Sequence, residues 1–127
     1  MEVFEDDARV LVAYLFGSRS MNLHTPKSDI DIAVLLSELP GNMLDYYLDL
    51  MDRLSRVLGD EVDLVVMNKA PPFLKYQVVK YGRVLYSRDE RARVEFEVKV
   101  MKEYLDSIRR RERYDEALMK EISKWKG

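Results

Sequence analysis

The chain has 127 residues and a mass of 15.0 kDa, room for one domain and little more. Hydrophobic residues at 47% and charged residues at 35% exclude disorder and collagen-like structure, and 21 basic against 23 acidic residues argue against a general electrostatic grip on nucleic acid or anionic lipid. The absence of cysteine excludes disulfides, thiolate metal sites and cysteine nucleophiles, and a single histidine, His24, cannot build a multi-histidine site.

The chain opens on acidic residues where a signal peptide would be basic, and no apolar run approaches the ~18–20 residues of a membrane span, so the expected location is cytoplasmic. Residues 9–16 (RVLVAYLF) are a β-branched and aromatic run ending at Gly17, the pattern of a buried strand. Residues 30–36 (IDIAVLL) and 62–67 (VDLVVM) repeat that form, each with a carboxylate in or beside an otherwise apolar strand. Between them Met43, Tyr47, Leu50, Leu54 and Val57 recur at spacings of three and four, predicting an amphipathic helix that closes near Gly59.

Pro71 and Pro72 open a second helix carrying Phe73, Leu74, Gln77 and Val78 and stopping at Gly82, and a fourth short strand covers residues 83–86. Residues 88–124 contain neither proline nor glycine, which predicts a long helix. Its stripe of Val94, Val98, Met101, Leu105 and Ile108 reads as core, then meets Glu112 and Asp115 before resuming at Met119, Ile122 and Trp125; the distal half reads as an interface. The fold class is therefore α/β (α+β), a mixed sheet flanked by helices. We expect a single domain over residues 1–127, with a core at 1–87 and a helical extension at 88–127.

Asp29 and Asp31 stand two apart at the entrance to the second strand and project to one face, while Ile30 and Ile32 point into the core. Two like charges so held are costly unless a cation lies between them, and Mg²⁺ takes hard oxygen ligands. If the third strand lies beside the second, Asp63 joins them, and three carboxylates could bind two divalent ions for an in-line phosphoryl displacement. Gly17-Ser18 follows the first strand as a phosphate cradle: glycine admits close backbone approach, and Ser18 offers a hydroxyl and an amide. It is not a P-loop, because the second glycine and the lysine of that motif are missing.

Gly17-Ser18, then residues 19–28, then Asp29-Ile30-Asp31 and a later strand with Asp63 resembles the nucleotidyltransferase superfamily of DNA polymerase beta. More narrowly, the runs YLFGSRS (14–20) and SDIDIAV (28–34) resemble the minimal nucleotidyltransferases, or MNT proteins, and the long C-terminal helix resembles the antitoxin half of HEPN/MNT toxin–antitoxin pairs. The resemblance implies Mg²⁺-dependent transfer of AMP from ATP to a tyrosine hydroxyl on a HEPN toxin. It implies that Asp29 and Asp31 hold Mg²⁺ against the phosphates, that Asp63 binds the catalytic ion or takes the acceptor proton, and that Gly17, Ser18 and Arg19 contact phosphate, with Lys27 a lesser candidate. Two departures stand out: Asn22 where relatives carry glycine, and only residues 1–8 before the first strand where relatives have a complete helix.

Other readings compete. An Asp-x-Asp pair by itself reads as strand-edge solubility, His24 as an exposed loop residue, and Arg109-Arg110-Arg111 with Arg113 as a solvated helix face. Tyr104, Tyr114 and Trp125 read either as packing or as partner anchors. At the level of function the alternatives are an antitoxin that neutralises by binding alone, and a dimeric small-molecule nucleotidyltransferase.

Overall fold

A strand covered on both faces need not alternate apolar with polar residues, and β1 (Val10–Phe16) shows why its sequence is apolar throughout. In the computed structural model, which describes residues 2–17 and 30–126, β1 is a central strand of a four-stranded sheet ordered β3-β2-β1-β4. β2 (Ile30–Leu36) and β4 (Arg83–Ser87) flank it, both antiparallel, and β3 (Val62–Val66) runs parallel to β2 at the edge. Parallel pairing of β2 with β3 requires a crossover, supplied by α2 (Met43–Leu58).

α2 forms where the sequence caps it. The Asn42 side-chain oxygen accepts a hydrogen bond from the Asp45 amide at 3.1 Å, and Gly59, at φ 76°, takes the left-handed position that ends the helix. Leu50 and Leu54 are fully buried against one sheet face with Val10, Ala13, Ile32, Val34, Val62 and Leu64. Val57, expected in that stripe, is instead 62% exposed; Leu58 carries the contact in the last turn. A one-turn helix α1 (Glu2–Glu5) buries Val3 and Phe4 in the same cluster, and Arg88 pins it there by donating to the carbonyls of Phe4, Glu5, Asp7 and Val10. The few residues ahead of β1 thus still cover apolar surface.

The opposite face collects Val12, Tyr14, Phe16, Ala33, Leu35, Met67 and Val78. Met67 belongs to a single 3₁₀ turn (Met67–Lys69) rather than to β3, and the Asn68 amide next to it donates to the Leu36 carbonyl at 2.8 Å and accepts from the Leu36 amide at 2.9 Å. α3 (Pro72–Tyr81) then returns across this face and stops at Gly82. Gly82 has an ordinary φ of −76°; glycine is needed for space, because a Cβ would overlap the Val78 carbonyl oxygen and come within 3.2 Å of the Leu15 carbonyl oxygen.

α4 (Glu90–Lys126) is 37 residues long, roughly 55 Å at 1.5 Å per residue. Its first half packs on α3 and β1, but with a different face from the one expected. Phe96, Val100 and Tyr104, four residues apart, face inward; Val94, Val98, Met101 and Leu105 lie 41–52% exposed. Polar contacts decided between the two stripes. Tyr104 stacks on Tyr76 of α3 with ring centroids 3.9 Å apart, Lys75 pairs with Glu103 at 3.1 Å, and Tyr14 donates to Glu97 at 3.0 Å. Glu97 also takes both hydrogen bonds from one Arg93 nitrogen, at 3.0 Å each. Burial and the adjacent Glu97 push the Tyr14 phenol above its ordinary range, so it stays a neutral donor. Residues 109–125 are exposed throughout. Among the described residues no helix is long and apolar enough to cross a membrane.

Candidate active site

Side chains on a strand alternate between faces, so Ile30 and Ile32 join the α2 side and Asp31 points to the side of α3 and α4. There Asp31 lies directly in register with two neighbours: Phe16, the last residue of β1, and Asp63, the second residue of β3. Register partners in adjacent strands share a face, so the two carboxylates stand side by side at about 4.8 Å strand spacing. The expectation that β3 would bring Asp63 to the second strand is met.

The pair is unequal in exposure. Asp31 is 7% exposed, the one buried charged residue among the described residues, whereas Asp63 on the edge strand is half-buried. Phe16, 6% exposed, walls the site on the β1 side, and the chain leaves β1 at Gly17 immediately beside Asp31. A backbone amide unshielded by a side chain, next to two hard oxygen donors, is the chemistry a phosphate–cation pair requires. Asp29, Ser18 and Arg19, with Lys27, Asn22 and His24, lie outside the described residues. Among the described residues no cluster of three or more His, Asp or Glu converges on one point.

One neighbour escaped the sequence reading. Tyr47 of α2 counted only as an apolar-stripe residue, yet its phenol is raised above its ordinary range first by burial and then by the negative charge of Asp63, with the Leu64 backbone opposing. Helical periodicity could place Tyr47 against the sheet; only the tertiary fold could place it near a carboxylate. Arg109, Arg110, Arg111 and Arg113 sit on the exposed distal part of α4, away from the sheet.

A family model described as polymerase beta, nucleotidyltransferase matches residues 1–91. The chain belongs to that nucleotidyltransferase family. Within it, the chain is 35% identical over 82 residues to protein adenylyltransferase MntA of Shewanella oneidensis, an alignment covering 65% of this chain and 58% of that protein. It is 36% identical over 78 residues to a putative protein adenylyltransferase of Methanocaldococcus jannaschii, covering 61% of this chain and 78% of that one.

Solved nucleotidyltransferase-family neighbours extend the likeness to α4. A chain from the structure of the tri-AMPylated Shewanella oneidensis HEPN toxin in complex with MNT antitoxin superposes with a TM-score of 0.69 at 29% identity, covering 93% of this chain and 91% of that chain. A toxin–antitoxin crystal structure with AMP-PNP gives the same TM-score at 30% identity, covering 93% and 94%. The mixed sheet with flanking helices and a long C-terminal helix is therefore the fold of this nucleotidyltransferase family, as the sequence motifs led one to expect.

Proposed function

We propose that this chain is a protein adenylyltransferase that transfers AMP from ATP to a tyrosine hydroxyl of a HEPN-type toxin and thereby acts as its antitoxin. The observation that carries the reading is the in-register pair Asp31 and Asp63 beside Gly17, in a family whose similar members are named protein adenylyltransferases. In the reaction the acceptor oxygen attacks the α-phosphorus of ATP, the bond to the β-phosphate oxygen breaks, and pyrophosphate departs.

The residues divide that work. Gly17, with Ser18 and Arg19, holds the terminal phosphates through backbone amides, a hydroxyl and a guanidinium. Asp29, Asp31 and Asp63 are the ligands for magnesium, two ions in our reading, and the hard carboxylate pair seen at Asp31 and Asp63 fits that group. Bound there, magnesium neutralises phosphate charge and acidifies the attacking hydroxyl. Asp63, the more exposed of the pair, helps bind the catalytic ion or accepts the acceptor's proton in this reading. Catalysis of this kind is mainly positioning plus electrostatics, which a rigid strand pair supplies. We assign this chemistry to residues 1–87 and the toxin-facing role to the exposed distal part of the helical extension 88–127, acting in the cytoplasm.

The test is intact-mass spectrometry of the toxin after incubation with this chain, ATP and Mg²⁺, beside Asp31→Asn and Asp63→Asn variants. Added AMP mass that disappears in both variants is the expected result. An unmodified toxin that is nevertheless neutralised would replace transfer with steric inhibition, and a labelled small molecule without any toxin would point to a small-molecule acceptor.

A further inference from the structure

The face of α4 that the domain leaves uncovered carries a regular apolar stripe. Val94, Val98, Met101, Leu105 and Ile108 follow one another at spacings of four, three, four and three, an average of 3.5 residues. These are a/d spacings, shared with the stripe of α2, and what sets the α4 stripe apart is that the domain does not cover it. The first four are 48%, 48%, 41% and 52% exposed, while Phe96, Val100 and Tyr104 make the contact with the domain on a different face. An apolar stripe with these spacings, left uncovered by its own domain, fits the seam of a second helix.

We propose that the seam pairs with the same seam of a second copy of this chain, antiparallel about a two-fold axis level with residue 103. Charge selects that register. It sets Val98 opposite Ile108 of the second copy and Met101 opposite Leu105 of the second copy, four apolar layers once the symmetry is applied. At the ends of the seam it sets Arg91 opposite Asp115 of the second copy, and along the flank Glu95 opposite Arg109 of the second copy. Arg91 and Glu95 are exposed and already paired to each other at 3.2 Å, so the contact extends an existing ion pair into a network. Glu112 falls opposite Val94, one layer inside the Arg91–Asp115 end, and the one like-charge contact is Lys102 with itself on the axis.

Other registers are worse. Parallel pairing stacks Glu112 on Glu112 and Asp115 on Asp115 inside the seam. Sliding the antiparallel pair one heptad one way buries those acids against Val98 and Met101; sliding it the other way sets Arg91 against Ile108 and Arg88 beside Arg109. Five apolar residues per copy with their charged flanks cover about 1,000 Å², the lower end for a specific interface, which corresponds to a dissociation constant on the order of micromolar.

Sedimentation equilibrium of the full chain over a range spanning micromolar to hundreds of micromolar tests this, with circular dichroism confirming that each variant keeps its helix. The wild type is expected to dimerise. Leu105→Glu, at an exposed helical position with a good helix former, is expected to weaken the dimer about 100-fold. Lys102→Gln removes the like-charge contact and is expected to tighten it about threefold. A chain that stays monomeric at every concentration overturns the proposal, as does a dimer indifferent to Leu105→Glu. A Lys102→Gln variant that leaves the dimer unchanged or loosens it overturns the register, since Lys102 faces Glu97 in the parallel pair and Glu95 in one slid pair; an Arg91→Glu variant that fails to loosen the dimer overturns it as well, since in the other slid pair Lys102 faces Arg109 and Arg91 faces Ile122.

Discussion

Replacing Asp31 with asparagine should separate stability from activity in opposite directions. Asp31 and Asp63 are register partners on adjacent strands, so their carboxylates lie roughly 5 Å apart. Two unit charges at that distance repel by about 3 kcal/mol at an effective dielectric near 20, and the half-exposure of Asp63 brings this to about 1 kcal/mol. Asparagine is nearly isosteric and keeps an acceptor oxygen, so in EDTA the variant should melt about 3–5 °C above the wild type. With Mg²⁺ and a non-hydrolysable ATP analogue the order should reverse. A ligand at 100 times its dissociation constant stabilises the wild type by about 2.7 kcal/mol and should do little for a site that has lost a ligating charge. Differential scanning calorimetry in the two buffers reads both effects, and the toxin-labelling assay should read none or almost none in the variant. A variant that melts below the wild type in EDTA, or a wild type unmoved by the magnesium nucleotide, would refute the view of this pair as a charge-strained cation site.

Three further substitutions probe the frame that holds the site. Leu54→Ala, at a fully buried position between α2 and the sheet, should cost about 2–5 kcal/mol in urea unfolding with little change in the slope of the transition. Gly82→Ala should destabilise by about 1–3 kcal/mol although its φ is ordinary, because the new methyl meets backbone oxygens of α3 and β1; a thermal shift of zero would mean that the chain there relaxes freely. Tyr14→Phe removes a donor from Glu97 but leaves Arg93 bonded to it, so a loss of about 1 kcal/mol by chemical denaturation is expected, and a loss above about 3 kcal/mol would show that the network acts as one unit.

Short-range physics made most of the elements legible in the sequence. An unbroken apolar run ending at glycine means a strand buried on both sides, and β1 is one. Gly59 announced the end of α2 because capping is local chemistry. The carboxylates were legible for a similar reason: alternation along a strand puts Asp31 on the face opposite Ile30 and Ile32 whatever the strand pairs with. What the motif could not supply was the partner. That Asp63 meets Asp31 is a fact about the pairing and register of β2 with β3, and the nearness of Tyr47 to Asp63 depends on how α2 is laid across the sheet.

The long helix shows the division most clearly. Sequence alone predicted a helix over residues 88–124, which lack proline and glycine and favour that backbone, and α4 occupies Glu90–Lys126. Hydrophobicity pointed to the line of Val94, Val98, Met101 and Leu105 as the inward face, and the line of Phe96, Val100 and Tyr104 ranks below it. Tertiary structure chose the second, because a tyrosine on α3, a buried phenol on β1 and a lysine offered Tyr104, Glu97 and Glu103 specific contacts that a valine stripe could not use. Local propensity decides that a helix forms; which side of it turns inward is decided only when the groups waiting on the other surface are in place.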